Sequence, residues 1–201
     1  DAGAAYVFFG GPGADAAADM TLVGAAAGDR FGTAVGRAPD LNSDGYGDVV
    51  VGAYLNDSGG ADAGAAYAYF GGASPDSIAD VTRYGALAGD NLGYSVGWTG
   101  GFDLHGFGSL VVGATASDVG GSNAGAVYVY NPSPLAAAHR VALEVMGEES
   151  GDDLGRCVAS AGDMNGDGYD DVILGAPVAG AGSGRACVRF GAPGAGGGGG
   201  L

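Results

Sequence analysis

Positive charge is scarce in this chain. Only 7 lysines and arginines stand against 23 aspartates and glutamates, a formal charge of −16 over 201 residues. A surface of that sign is repelled by phosphate backbones and anionic membranes, which excludes nucleic acid as a partner. No apolar run approaches the roughly 18 residues of a membrane span, so no membrane insertion is expected. Histidine is also rare, with His105 and His139 the only two. Neither has around it a residue pattern that would place a nucleophile or an orienting carboxylate, and both read as exposed loop residues. The expectation is a protein that is not an enzyme. The chain begins with Asp1 and carries no leader-like segment, which reads as a mature or excised product.

Glycine, by contrast, is abundant, 45 residues in all. Most of it has a period, which argues for punctuation between strands rather than disorder. The run Gly196 to Gly200 is the exception and reads as a flexible tail over 196–201.

The phrase DLNSDGYGD at residues 40–48 returns as DMNGDGYDD at residues 163–171. Each places oxygen ligands at alternating positions around a sharp turn, as a hard cation with six to eight oxygen ligands requires. In the first loop the set is Asp40, Asn42, Asp44, the backbone carbonyl of Tyr46, and Asp48. In the second it is Asp163, Asn165, Asp167, Tyr169 and Asp171. Gly45 and Gly168 hold the sixth position, where a side chain would obstruct the turn. Two calcium sites are therefore expected. The loops do not finish as EF-hands do, since Val51 and Leu174 stand where a bidentate Glu would be. The flanks DVVVGAY and DVILGAP are β-branched and short, so each ninth-position Asp leads into a strand. A metal-free Asn-Gly turn is the plainer reading of one such phrase. Its repetition at equivalent places argues for the metal.

GDRFGTAV at 28, GDNLGYSV at 89 and GDDLGRCV at 151 recur at steps of 61 and 62 residues. Each unit holds four short strand-like segments, of the types FGTAVGR, DVVVGAY, AGAAYAYFG and MTLVGA, with glycine-rich turns between them. This is the pattern of a β-propeller blade, giving an all-β chain of four-stranded antiparallel blades. The units divide as a partial blade at 1–26, blades at 27–86 and 87–147, and a partial blade at 148–195. About three repeats are too few to close a ring. Either further blades exist in a longer chain, or copies self-associate so that the N-terminal strands of one complete the C-terminal blade of another.

The pairs Phe31-Gly32 and Gly52-Ala53-Tyr54, with Leu154-Gly155 and Gly175-Ala176-Pro177, resemble the FG-GAP repeats of integrin alpha-subunit propellers and related secreted proteins. The resemblance spans residues 1–191. It implies calcium loops joining the first and second strands of a blade on one rim, with a ligand surface on the other. It also implies an extracellular or cell-surface location and a module for adhesion or for binding a protein or glycan. The middle repeat departs from it: GFDLHGFGS at 101–109 keeps only Asp103 of the ligand set, so no calcium is expected there.

Cys157 and Cys187 fall on first and third strands of one blade, roughly 10 Å apart. That distance favours two separate buried thiols, although an oxidising compartment, implied by the resemblance, would favour a bond. Tyr6, Tyr67 and Tyr128 occupy equivalent strand positions and are read as core or inter-blade packing, while Trp98 leaves room for a carbohydrate-binding rim. A non-catalytic propeller attached to a secreted hydrolase or lyase, or a self-associating structural block, remain the other readings.

Overall fold

The computed structural model describes residues 1–38, 40–103, 108–131 and 141–193. His105, His139, the centre of the 101–109 loop and the glycine tail lie outside these residues. The described chain is all but entirely β. β1 (Ala4–Val7) and β2 (Met20–Val23) form a two-stranded sheet. β3 (Ala34–Ala38), β4 (Asp48–Ala53), β5 (Ala65–Tyr69) and β6 (Val81–Tyr84) form a four-stranded meander. β7 (Leu92–Thr99), β8 (Ser109–Ala114), β9 (Ala126–Tyr130) and β10 (Val141–Met146) form another. β11 (Cys157–Gly162), β12 (Asp171–Ala176) and β13 (Arg185–Arg189) form a three-stranded sheet. Every pairing within a sheet is antiparallel and links neighbours in sequence. These are propeller blades, two with four strands and two with fewer.

The sheets stack face to face, and the packing between them forms the core. One apolar cluster joins the first two sheets through Leu22, Phe31, Val51 and Tyr69. A second joins the meanders through Leu41, Val50, Leu110 and Tyr130. A third joins the second meander to the last sheet through Phe102, Val111, Leu174 and Val172. β5 and β8 are buried along their whole length. Their sequences, AAYAY and SLVVGA, are accordingly apolar or small throughout rather than alternating.

Glycine sets how close the sheets come. A Cβ at Gly52 would lie 2.0 Å from the Gly93 carbonyl oxygen of the next sheet, and one at Gly113 would lie 2.1 Å from that of Gly155. No side chain fits in either place. At the same edge, parallel bridges join Gly3 to Phe31, Gly64 to Leu92 and Gly125 to Leu154, each tying a third strand to the first strand of the following blade.

The two ends of the stack correct two expectations. Tyr67 is buried, but Tyr6 is exposed, because no sheet among the described residues covers the outer face of β1. Cys157 is exposed rather than buried, for the same reason at the other end. The register pairs Cys157 with Gly175 and Cys187 with Leu174, so the two thiols point to opposite faces of one sheet. Both are free. Cys187 packs against the Phe102 cluster.

Candidate metal centre

The two acidic loops share most of their hydrogen bonds, the second adding one from the Gly166 N–H to Asp163 at 2.7 Å. In the first, Asp40 accepts from the backbone N–H groups of Asp44 at 3.0 Å and Gly45 at 2.9 Å. Asn42 accepts from the Asp44 N–H at 3.1 Å, and Asp44 accepts from the Tyr46 N–H at 2.8 Å. In the second, Asp163 accepts from Asp167 at 3.1 Å and Gly168 at 2.9 Å. Asn165 accepts from Asp167 at 3.0 Å and Asp167 from Tyr169 at 2.9 Å. Gly45 and Gly168 both stand at φ +90°, a conformation that glycine adopts without strain.

The ninth-position carboxylates anchor the loops to the blades. Asp48 accepts from the N–H of Leu41 within its loop and, at 2.8 Å, from that of Gly71 just past β5. Asp171 likewise accepts from Met164 at 2.8 Å and from Gly191, past β13, at 3.0 Å. Both carboxylates are buried. Burial pushes the Asp48 carboxyl up from its ordinary value, with Asp44 and Asp40 adding to the effect, while the two amides hold it down. The sequence showed the acidic loops but not these cross-strand amides. Their signal was the glycine that follows each third strand.

The side chains of each loop thus share one turn, but among the described residues no group of three or more acidic, histidine or cysteine side chains is drawn together as a formed metal cluster. The oxygens face their own loop amides instead. The donor set itself, carboxylates, an amide oxygen and a backbone carbonyl, fits a hard cation and no soft one.

The middle repeat replaces this arrangement with a chain of side-chain hydrogen bonds. Ser109 stands where Asp48 and Asp171 stand, fully buried, and donates to Asn131 at 2.8 Å. Asn131 in turn donates to Asp103.

At the opposite ends of the blades lie the Gly-Asp turns. Asp29 accepts from the Ala26 N–H at 3.1 Å and from the Asn56 side chain at 2.7 Å. Asp90 accepts from the Leu87 N–H, and Asp152 from those of Glu148 and Glu149. These three buried acids hold turns and are remote from the loop ligands. On the same rim the rings of Tyr54 and Tyr94 meet edge to face at 5.2 Å, and the Arg156 guanidinium sits 4.7 Å from the Tyr94 ring centroid. Arg156 also pairs with Asp153 at 3.1 Å. An aromatic and charged row therefore crosses three sheets on the rim away from the acidic loops.

Residues 31–69 and 158–186 match the family model for the FG-GAP repeat. Over 155 residues, 73% of this chain, the sequence is 29% identical to integrin alpha-5 of Xenopus laevis. The chain spans 14% of that protein's length. No helix among the described residues is long and apolar enough to cross a membrane.

Proposed function

From a chain of FG-GAP repeats folded into integrin-like propeller blades, we propose a calcium-stabilised binding module that works outside the cell or at its surface. The observation that carries this reading is the pair of similarly wired nine-residue loops, each with a buried ninth carboxylate. Asp40, Asn42, Asp44, Tyr46 and Asp48 would hold one calcium ion, and Asp163, Asn165, Asp167, Tyr169 and Asp171 the other. Each ion would neutralise carboxylates that otherwise repel one another in a chain of strongly negative charge. The middle loop, with Ser109 in place of the ninth Asp, would bind none.

In this reading calcium is structural, and contact with a protein or glycan ligand falls to the other rim, along Tyr54, Tyr94 and Arg156. Aromatic faces and a guanidinium that is half exposed suit such contacts. The similarity to an integrin subunit supports adhesion as the use of that surface, and no chemistry is assigned to the module itself.

Terbium luminescence tests the metal sites, because Tyr46 and Tyr169 lie within the loops and sensitise a bound lanthanide. Titration should report two sites, competed by calcium, and calorimetry with calcium alone should give the same stoichiometry. Absence of binding, or a third equal site, would overturn the assignment. A glycan and protein array probed with and without calcium then identifies the ligand.

A further inference from the structure

The two acidic loops differ in the residue that follows the ligand asparagine. Asn42 is followed by Ser43, and Asn165 by Gly166. Both followers stand in the left-handed region, at φ +61° and +76°, so the chain turns the same way in each loop. Ser43 shows that this turn accepts a side chain. A Cβ built at Gly166 would meet nothing within 4 Å, and Asn165 and Gly166 are both exposed.

The difference bears on the stability of the asparagine itself, which is among the thermally labile residues. The backbone nitrogen of the following residue can attack the side-chain amide carbon and close a succinimide ring. A Cβ on that residue hinders the approach, and glycine has none. The step balances with water as the only co-reactant. The bond from Gly166 N to Asn165 Cγ forms, the Cγ–Nδ2 bond breaks, and the amide proton leaves with Nδ2 as ammonia. Water then opens the ring at one carbonyl or the other, leaving aspartate or isoaspartate at position 165.

In the folded loop each group that would react is held by a different partner. The Gly166 N–H donates to Asp163 at 2.7 Å. Asn165 Nδ2 donates to Asp167 at 2.8 Å, and Asn165 Oδ1 accepts from the Asp167 N–H at 3.0 Å. The nitrogen and the amide carbon meet only when these bonds open together. The bonds depend on Asp163 and Asp167, two carboxylates of like charge in a loop that also holds Asp170 and Asp171. Without a cation their repulsion works against the closed turn. With calcium held as proposed above, that repulsion is removed and Asn165 Oδ1 is itself a ligand, which fixes the amide away from Gly166.

We infer that Asn165 is a self-modification site, closing on Gly166 while its loop is free of calcium and guarded while the ion is bound. The guard, though not the reactive pair, rests on the calcium reading. The consequence is lasting. Aspartate at 165 adds a carboxylate to the ligand set. Isoaspartate inserts a methylene into the backbone between the third and fourth loop positions, which breaks the alternation that a shared ion needs. Time spent without metal is thus recorded in the loop.

The full chain, kept warm at neutral pH in EDTA or in calcium, is then digested and read by mass spectrometry, with electron-transfer fragmentation separating isoaspartate from aspartate. In EDTA Asn165 should convert to both products while Asn42 persists, and calcium should slow the conversion several-fold. Gly166→Ser, which copies the first loop, should abolish conversion at 165, and Ser43→Gly should create it at Asn42. Both substitutions fall in exposed turns, so circular dichroism should report an unchanged fold. Terbium titration of the same samples reports whether the second loop is occupied. Equal conversion with and without calcium, in a chain that terbium shows to be loaded, would overturn the inference while leaving the calcium sites standing. An Asn165 that persists in EDTA, or conversion undiminished in Gly166→Ser, would overturn it as well. A chain that binds no terbium overturns the calcium reading, and the guard with it.

Discussion

Replacing Asp171 by Ala separates the two roles assigned to the ninth-position carboxylates. In the metal-free protein the carboxylate satisfies two backbone N–H groups, those of Met164 at 2.8 Å and Gly191 at 3.0 Å. Hydrogen bonds to a charged group are worth about 1.5–3 kcal/mol each, and relief from burying the charge offsets part of their loss. The expected cost in EDTA is therefore about 2–4 kcal/mol. With calcium at a hundredfold excess over its dissociation constant, the wild type gains about 2.7 kcal/mol at this site by mass action, and the variant gains none. Urea unfolding of both proteins, with EDTA and with calcium, reads the two contributions apart. The variant should still respond to calcium through Asp40 to Asp48. That loop belongs to a sheet separated from the mutated one by a whole meander, so the effect of Asp48→Ala should add to within about 0.5 kcal/mol. An equal loss in EDTA and in calcium would refute the metal role of Asp171, and no loss in EDTA would refute its anchoring role.

Phe102→Ala should cost about 3–5 kcal/mol in thermal or urea unfolding, since the ring is fully buried between two blades. Met164→Ala, at the matching position of the second acidic loop, should stay within about 0.5 kcal/mol of the wild type, because that side chain is 62% exposed. Equal effects would show that the two side chains do not differ in burial. Burial raises the Asp90 carboxyl above its ordinary 3.8, against the hydrogen bond from the Leu87 N–H. The folded state therefore takes up the proton before the unfolded state does, and stability is gained as pH falls through the Asp90 titration. Relative to Asp90→Asn, the wild type should gain stability from neutral pH down to about 4, and a flat difference would contradict this assignment.

Much of the architecture was legible because it is written three times. The 61-residue step gave the strand order, and the β-branched flanks distinguished strands from the helices of an EF-hand. The acidic loops were visible for a related reason: their Asp and Asn residues alternate around a glycine, the spacing that ligands of one hard cation would need. What escaped was everything that depends on which sheet faces which. Tyr6 and Tyr67 are equivalent in the repeat, yet one is exposed and the other buried. Periodicity assigns a residue to a face and does not say whether a neighbour covers it. The same holds for Cys157, whose place on β11 was plain and whose exposure was not. The anchoring of Asp48 by Gly71 joins residues 23 apart through a backbone amide, which the sequence marks only by the glycine that carries it.

The parallel bridges from Gly3 to Phe31, Gly64 to Leu92 and Gly125 to Leu154 bear on how the chain is made. Each seam joins the start of a third strand to the start of the next first strand, with only the intervening turn and fourth strand between them. A chain emerging from the ribosome N-terminus first can therefore close every seam with residues already released, because the later partner is always the one just synthesised. The loop to be closed stays short at each step, so its entropic cost does not grow as blades are added. Synthesis and folding can advance at the same pace, one seam at a time, with a single unfinished edge exposed at the growing end.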